Sequence, residues 1–350
     1  MRRASSSSRF SQGCALTLAL SRRERGASGA RHCDRFHILA VRTATGRAGR
    51  CLGYSVETAR TPPMMEHGLE ILVSAAERLG VRLDAGQQAL FRTYFEVLEQ
   101  GAEFANLTGA RGWERVREEL FIRSLRLLTP APGGYVSMAG WFDSAAGWGQ
   151  GPTAGSRGAS PADAAPPARR VIDVGTGAGI PGLVLKIAIP GMALTLLDSN
   201  QKKCDFLRRA VRVLGLSGVS VVQARAEAAA HDPAHREKYD LVLARAVARL
   251  AELAELTLPF AKVGGAVIVP KGAGIEDEVE EAAYAAEQMG AAPAITQTVS
   301  SPGSAPADTV LYWLKLSPTP PRYPRRVGVP HKQPLLKQAD RRPEPAVARH

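Results

Sequence analysis

The chain has 350 residues, of which 45% are hydrophobic, and this is enough for one large domain with extensions or for two domains. No apolar run approaches the roughly 20 residues that a membrane span requires, so we expect no membrane segment. The four cysteines, at positions 14, 33, 51 and 204, show neither disulfide nor metal-ligand spacing. They therefore predict a reducing compartment and no metal site.

The net charge of +12 is concentrated at the two ends of the chain. Residues 1–64 hold 12 arginines and 3 acidic residues, and residues 315–350 hold 9 basic and 2 acidic residues. Residues 65–314 carry 24 basic and 28 acidic residues. Basic ends often bind polyanions. For residues 1–64 we favour a solvated, disordered extension, or upstream sequence that was translated in frame before a true start at Met64 or Met65. The composition of this segment also resembles that of a transit peptide.

Residues 65–129 are predicted to form an N-terminal helical region. Apolar residues at helical spacing precede Gly80, which ends the first helix. Asp84 and Gln87 have the spacing of a capping box at the start of a second helix. A third helix is predicted over 113–128. The second helix carries an apolar face that we interpret as core packing, formed by Leu90, Phe91, Tyr94, Phe95 and Leu98.

Residues 130–168 are rich in Gly, Pro, Ala and Ser and predict a flexible insertion.

From 169 to 316, strand and helix patterns alternate, which predicts a doubly wound α/β domain with a parallel sheet. Residues 317–350 form a basic, proline-rich tail. The predicted strands are 171–174, 193–197, 219–223, 239–244, 266–270 and 309–316, and the predicted helices are 182–188, about 201 to 214, 249–260 and 276–289.

Residues 171–182 read VIDVGTGAGIPG, a strand followed by a glycine-rich turn and a helix start. Such a turn points backbone N–H groups at a ligand, and glycines at 175, 177 and 179 let that ligand come close. The run from Gly177 to Gly182 matches the dinucleotide fingerprint GxGxxG. Asp173, however, would repel the phosphates of a dinucleotide and suits the cationic S-adenosylmethionine. The loop therefore favours S-adenosylmethionine and leaves a dinucleotide open as the alternative.

Three further candidates follow neighbouring strands, at the edge where ligands of open α/β sheets bind. Asp198 ends the second strand and can accept both ribose hydroxyls, or it can cap the next helix. Ala226 and Glu227 follow the third strand, where an adenine ring would lie, although Glu227 could be a solvated acid. Arg245 follows the fourth strand, where it would lie beside the reacting centre or pair with a structural carboxylate.

These segments resemble the bacterial RsmG (GidB) family, whose members methylate N7 of a guanine in 16S ribosomal RNA. The resemblance covers about 66–128 and 170–337. It rests on VIDVGTGAGIPGLVLKIAIP, LTLLDSNQKKCDFLRRAV and YDLVLARAVARL, on Asn106-Leu107-Thr108-Gly109, and on the basic C-terminal KLSPTPPRYPRRVGVPHKQPL. One departure is the stretch 120–125, which reads LFIRSL where the family usually has a His-Phe-Leu-Asp-Ser-Leu sequence.

The resemblance implies a Rossmann-like class I methyltransferase fold that binds S-adenosylmethionine. It places cofactor contacts at Gly175, Ile180, Ala226, Glu227 and Arg245. The glycine spacing of the loop and the acid at the end of the second strand add Gly177, Gly179 and Asp198 as expected contacts. N7 of guanine carries a free lone pair, so methyl transfer needs no general base and no catalytic base is predicted. Arg245 is the candidate that positions the guanine through O6 or steadies the cofactor carboxylate.

The implied partner is 16S ribosomal RNA or the small ribosomal subunit, bound by a monomer in the cytoplasm. The prolines of the tail are expected to keep it extended, so that its charges can lie along RNA phosphates. Two other function classes stay open: an NAD(P)-dependent oxidoreductase and a non-catalytic RNA-binding assembly factor. The predicted RNA-binding residues are Arg322, Arg325, Arg326, Lys332 and Lys337.

Overall fold

The computed structural model describes residues 63–101, 107–129, 169–245, 248–300 and 307–337. The predicted insertion 130–168, nearly all of the predicted extension 1–64, and Asn106 lie outside the described residues.

The N-terminal region is helical, as predicted. Helix α1 is Pro63–Arg78 and helix α2 is Ala85–Gly101. The predicted capping box forms, because the Asp84 N–H donates to Gln87 Oε1 and the Gln87 N–H donates to Asp84 Oδ1, both at 2.8 Å. The third helical stretch, here called α3, consists of four consecutive pieces: Trp113–Arg115 (α), Val116–Ile122 (π), Arg123–Leu125 (α) and Arg126–Leu128 (3₁₀).

A seven-stranded sheet follows, in the order β3-β2-β1-β4-β5-β7-β6. Strands β1 to β5 pair in parallel, whereas β7 is antiparallel to both β5 and β6. The expectation of a parallel sheet is therefore wrong at β7, and β6 was not predicted. The strands are β1 Arg170–Val174, β2 Ala193–Asp198, β3 Val219–Gln223, β4 Tyr239–Ala244, β5 Ala261–Lys271, β6 Ile295–Val299 and β7 Asp308–Leu314.

Helices cover both faces of this sheet and give it the doubly wound architecture that the sequence predicts. One core joins α1, α2 and α3 to α4 and α5, and the other lies under α7 and α8. Within the described ranges, no helix combines the length and apolarity needed to cross a membrane. The remaining helices are α4 Gly182–Ala188, α5 Gln201–Val213, α6 Ala226–Ala229, α7 Leu250–Thr257 with a 3₁₀ turn Leu258–Phe260, α8 Glu276–Gln288 and α9 Val329–Lys332.

The C-terminal segment 317–337 packs on this domain, which corrects the expectation of an extended tail. Arg236 donates to the carbonyl oxygens of Thr319, Pro320 and Tyr323 at 2.7–3.2 Å. The Thr319, Arg325 and Gly328 N–H groups donate in turn to the carboxylates of Glu237, Glu255 and Glu227. The body of the protein therefore fixes the segment in place.

Candidate functional site

The glycine-rich loop lies between β1 and α4, at the centre of the sheet. The Gly175 and Thr176 N–H groups donate to the Leu197 carbonyl at 2.8 and 3.1 Å, which ties the loop to β2. Gly175 and Gly177 have φ values of +68° and +59°, a region that favours glycine. A Cβ at Gly175 would meet nothing within 4 Å. The backbone therefore turns here next to open space, as a ligand cradle requires.

Asp173 is fully buried at the end of β1. Its Oδ2 accepts hydrogen bonds from Thr176 Oγ1 at 2.6 Å and from the Gly182 N–H at 2.8 Å. Its Oδ1 is buried and has no hydrogen-bond partner among the described residues. Burial raises the pKa of the Asp173 carboxyl to about 7, although both hydrogen bonds and Arg245 oppose that rise. A buried carboxylate oxygen without a hydrogen-bond donor costs free energy, unless a ligand supplies that donor.

Asp198 lies at the end of β2, as predicted, and is nearly buried. Its Oδ2 accepts from the Gly177 N–H at 3.0 Å, and its Oδ1 accepts from the Asn200 N–H at 2.8 Å. The cap of α5 is Asn200, whose side chain accepts from the Lys203 N–H, so the alternative of Asp198 as the helix cap does not hold. Asp198 thus joins the end of β2 to the glycine loop.

Ala226 and Glu227 begin the short helix α6 after β3. The Glu227 carboxylate is largely buried, and its Oε1 accepts from the Gly328 N–H at 2.8 Å in the C-terminal segment. The alternative of a solvated loop acid therefore does not hold for Glu227.

Arg245 follows β4 and faces a cavity of about 530 Å³ beyond the carboxyl ends of β4 and β5. Its Nη2 donates to the Glu119 carbonyl of α3 at 2.8 Å. Burial and the nearby Arg123 lower the pKa of Arg245 below its ordinary value. Pro181, at the end of the glycine loop, lines the same cavity, as do Arg123 and Lys271. Glu278 lines it as well and pairs with Lys271 at 2.9 Å. The cavity therefore combines charged side chains of both signs with one end of the loop.

A buried ion cluster next to this cavity was not predicted. Asp308 of β7 binds Arg123 and Arg126 of α3, the latter at 2.7 Å. Asp308 and Arg126 are both buried. The sequence showed only that Arg123 departs from the family pattern, because its partner is 185 residues away. The cluster attaches the helical region to β7 and leaves Arg123 at the cavity wall.

Tyr94 is a second residue whose role sequence reasoning missed. It is buried in the core, as interpreted, and stacks on Phe121 with ring centroids 5.6 Å apart. Its hydroxyl also donates to the Ala178 carbonyl of the glycine loop at 2.8 Å. No local signal marks this contact, because an apolar-face tyrosine at helical spacing looks like any core aromatic.

The five predicted RNA-binding residues differ in their surroundings. The Arg325 guanidinium makes a bidentate pair with Glu255, a carboxylate with no exposed surface. Arg322 is exposed and lies over the Tyr323 ring at 5.0 Å. The other three, Arg326, Lys332 and Lys337, are exposed. Arg325 is therefore an anchor of the C-terminal segment, whereas the remaining four are available on the surface.

Neither thiol chemistry nor a metal site emerges in the described ranges. Cys204 is buried in α5, where its thiol lies 3.3 Å from the Asp198 carbonyl and burial raises its pKa. Across those same ranges, no three His, Cys, Asp or Glu side chains converge as a metal site would require.

The chain is similar to a set of curated methyltransferases along nearly their whole length. It is 38% identical to the ribosomal RNA small subunit methyltransferase G of Dehalococcoides mccartyi (strain CBDB1) over 265 residues, which is 76% of this chain and 99% of the relative. The protein of the same name from Roseiflexus sp. (strain RS-1) is 38% identical over 76% of this chain and 100% of the relative. That of Lactobacillus delbrueckii subsp. bulgaricus (strain ATCC BAA-365 / Lb-18) is 34% identical over 76% and 99%.

Two solved structures are distantly similar to part of the chain. An O-methyltransferase family protein from Burkholderia thailandensis has a TM-score of 0.32 and 18% identity, over 43% of this chain and 52% of that chain. TYW2 of M. jannaschii in complex with AdoMet has a TM-score of 0.34 and 16% identity, over 42% and 68%.

A family model supports the same assignment as the curated relatives. The model described as GidB, rRNA small subunit methyltransferase G, matches residues 159–303, which include the glycine loop, Asp198 and Arg245. Together with the relatives it confirms the resemblance seen in the sequence and does not favour an oxidoreductase. The chain belongs to the family of the ribosomal RNA small subunit methyltransferase G.

Proposed function

We propose that this protein transfers the methyl group of S-adenosylmethionine to N7 of a guanine in 16S ribosomal RNA. The observation that carries the proposal is the buried, unpaired Oδ1 of Asp173 beside a glycine loop with open space at Gly175. An ammonium group supplies the donor that this oxygen lacks, whereas the phosphates of a dinucleotide would be repelled by it. Family membership supports the same assignment.

The residues around the loop fit the remaining parts of this cofactor. Each Asp198 oxygen accepts one backbone N–H, and a carboxylate has about four acceptor sites, so both oxygens can still accept ribose hydroxyls. We place the adenine ring against the backbone of Ala226 and Glu227, because the Glu227 carboxylate is held by Gly328. Gly177, Gly179 and Ile180 complete the loop beneath the cofactor.

S-adenosylmethionine would supply a methyl group on a positively charged sulfur. The new bond to N7 of guanine would form as the carbon–sulfur bond breaks, with neutral S-adenosylhomocysteine leaving and the positive charge passing to 7-methylguanine. The task of the protein is to hold N7 at about 3–3.5 Å from that methyl group and in line with it. The cavity beside Arg245 has a volume of about 530 Å³, within the range of about 300–1,000 Å³ that is typical of small-molecule sites. We propose that it receives the guanine, splayed out of its strand, and that Arg245 donates to O6 and leaves N7 free.

The exposed cations of the C-terminal segment are the proposed contacts to RNA phosphates. Arg322, Arg326, Lys332 and Lys337 are exposed, and we remove Arg325 from this set because Glu255 neutralises it. We propose that the monomer acts in the cytoplasm, on the small ribosomal subunit or its 16S RNA, without a metal ion.

The test is transfer of a labelled methyl group to small ribosomal subunits and, separately, to free 16S RNA. The label is expected in 7-methylguanosine after digestion, with large subunits as the negative control. Arg245→Ala is expected to lower kcat by at least about ten-fold, as for other lost positioning contacts. Arg249→Ala is the matched control, because Arg249 follows the same strand but is exposed and pairs with Glu281 on the surface.

Two outcomes would reject the proposal. Binding of RNA without binding of S-adenosylmethionine would indicate an assembly factor, and label in a nucleoside other than 7-methylguanosine would reject N7 as the acceptor. Equal losses in Arg245→Ala and Arg249→Ala would remove Arg245 from the site.

A further inference from the structure

Helix α2 contacts both ends of the unit formed by the glycine loop and α4. At the loop end, the Tyr94 hydroxyl donates to the Ala178 carbonyl at 2.8 Å. At the far end, Gln87 Nε2 donates to the carbonyls of Ile187 and Ala188 at 2.8 and 3.0 Å. Tyr94 and Gln87 lie two turns apart on one face of α2, so a single rigid element spans the whole unit.

The loop gains from such support, in addition to its hydrogen bonds with Asp173, because it is rich in glycine. Glycines lose more backbone entropy on ordering than other residues do, and the loop places three of them at positive φ. Its N–H groups at 175, 176 and 177 are held by β2, through Leu197 and Asp198. The Ala178 carbonyl, the next backbone group along the turn, is held instead by the helical region through Tyr94.

Tyr94 is itself fixed in position. It is fully buried, and its ring stacks on Phe121 of α3 with an interplanar angle of 17°. Burial raises the pKa of the Tyr94 phenol well above its ordinary value of 10.0, so the hydroxyl remains a donor at physiological pH. The loop also approaches it closely, since a Cβ at Gly179 would lie 3.0 Å from the Tyr94 hydroxyl oxygen.

We propose that Tyr94 is a positioning residue, through which the N-terminal helical region holds the glycine loop in the conformation that accepts the cofactor. The inference rests on the proposed function only for the identity of that cofactor. The helical region then does more than complete the core, because cofactor affinity depends on it.

The test compares Tyr94→Phe with Tyr312→Phe, which is a matched control. The Tyr312 hydroxyl donates to the Thr129 carbonyl at 3.2 Å, and Tyr312 is as buried as Tyr94, but it lies in β7. Each variant removes one hydrogen bond from a buried tyrosine to a backbone carbonyl. Thermal unfolding, calorimetric titration with S-adenosylhomocysteine, and amide hydrogen exchange of residues 175–180 in the free protein are measured for both.

Similar decreases in Tm are expected for the two variants. Only Tyr94→Phe is expected to raise the Kd for S-adenosylhomocysteine, by about 3- to 10-fold as for one lost hydrogen bond, and to speed exchange in the loop. An unchanged Kd with unchanged loop exchange in Tyr94→Phe would overturn the proposal. Equal increases in both variants would also overturn it, because they would show a general loss of stability.

The same data separate this inference from the proposed function. If the unmodified protein binds neither S-adenosylmethionine nor S-adenosylhomocysteine, the proposed function fails, while loop exchange in the free protein still tests the role of Tyr94. If the unmodified protein binds them and Tyr94→Phe binds equally well, the proposed function stands and the positioning role fails.

Discussion

Replacement of Arg325 by glutamine tests whether this residue anchors the C-terminal segment or contacts RNA. The Arg325 guanidinium donates three hydrogen bonds of 2.7–3.1 Å to the two oxygens of Glu255, and the Arg325 backbone N–H donates a fourth at 2.6 Å. Glu255 belongs to α7 and has no exposed surface. Arg325→Gln therefore leaves a buried carboxylate without its countercharge.

The expected loss of stability follows from that burial. Removing one partner of a buried ion pair costs about 3–5 kcal/mol, and we expect the lower end because Arg325 itself is one-quarter exposed and the backbone hydrogen bond remains. For a domain of this size, 3 kcal/mol corresponds to a decrease in Tm of roughly 6–12 °C. The additional change Glu255→Gln removes the unpaired charge and should restore most of the stability.

The assay is thermal unfolding of Arg325→Gln beside Arg326→Gln, with RNA binding measured at several salt concentrations. Arg326 is the neighbouring arginine but is exposed, so its replacement should leave Tm unchanged and reduce the salt slope of RNA binding by about 0.7–0.9. A Tm for Arg325→Gln within about 1 °C of the unmodified protein, which is well under 1 kcal/mol, would refute the anchor. A loss of RNA affinity equal to that of Arg326→Gln would instead restore Arg325 as a phosphate contact.

Two further predictions concern the cofactor site. Asp198→Ala should weaken S-adenosylmethionine binding by about 1–3 kcal/mol, because it removes ribose acceptors and frees the Gly177 N–H, and unchanged affinity in a calorimetric titration would exclude Asp198 from the site. The pKa of Asp173 is raised from 3.8 to about 7, so its contribution to stability is fully present below pH 3.8 and is lost as pH rises through 7. In the proposed site the ionised Asp173 carboxylate pairs with the cofactor ammonium group. We therefore expect affinity to increase as pH rises through about 7, and Asp173→Asn to flatten that increase. A pH-independent affinity in the unmodified protein would show that Asp173 does not change charge on binding.

The local elements could be read from the sequence because their signals are local. The reciprocal hydrogen bonds of Asp84 and Gln87 form at a spacing of three residues, and strands β3 and β4 begin and end where the apolar pattern predicts. Strand direction is different, because a hydrophobic pattern is the same in both directions. The antiparallel direction of β7 was therefore not predictable from its apolar pattern. The edge strand β6 was missed for another reason, because it is short and polar.

The tail shows why composition alone gave an incomplete account. Five cations among prolines have the appearance of an extended phosphate-binding strip. The structure separates them, because Arg325 meets a buried carboxylate 70 residues earlier in the chain, while Arg326, one residue later, faces solvent. Whether a charge is neutralised depends on a distant partner, which no property of the neighbouring residues reveals.

The helical region, the alternating strands and helices, and the glycine loop with its family resemblance can all be read from the amino-acid sequence. Each is encoded in the short-range spacing of apolar, glycine and capping residues. Which side chains meet depends on the folded chain. Two of the contacts join positions far apart in the chain: the Tyr94 hydroxyl donates to the Ala178 carbonyl, and two arginines of α3 pair with Asp308. The unpaired oxygen of Asp173 depends on burial by several elements at once. Long-range packing sets these contacts, because the free energy of burying a polar group depends on the partner that folding brings to it.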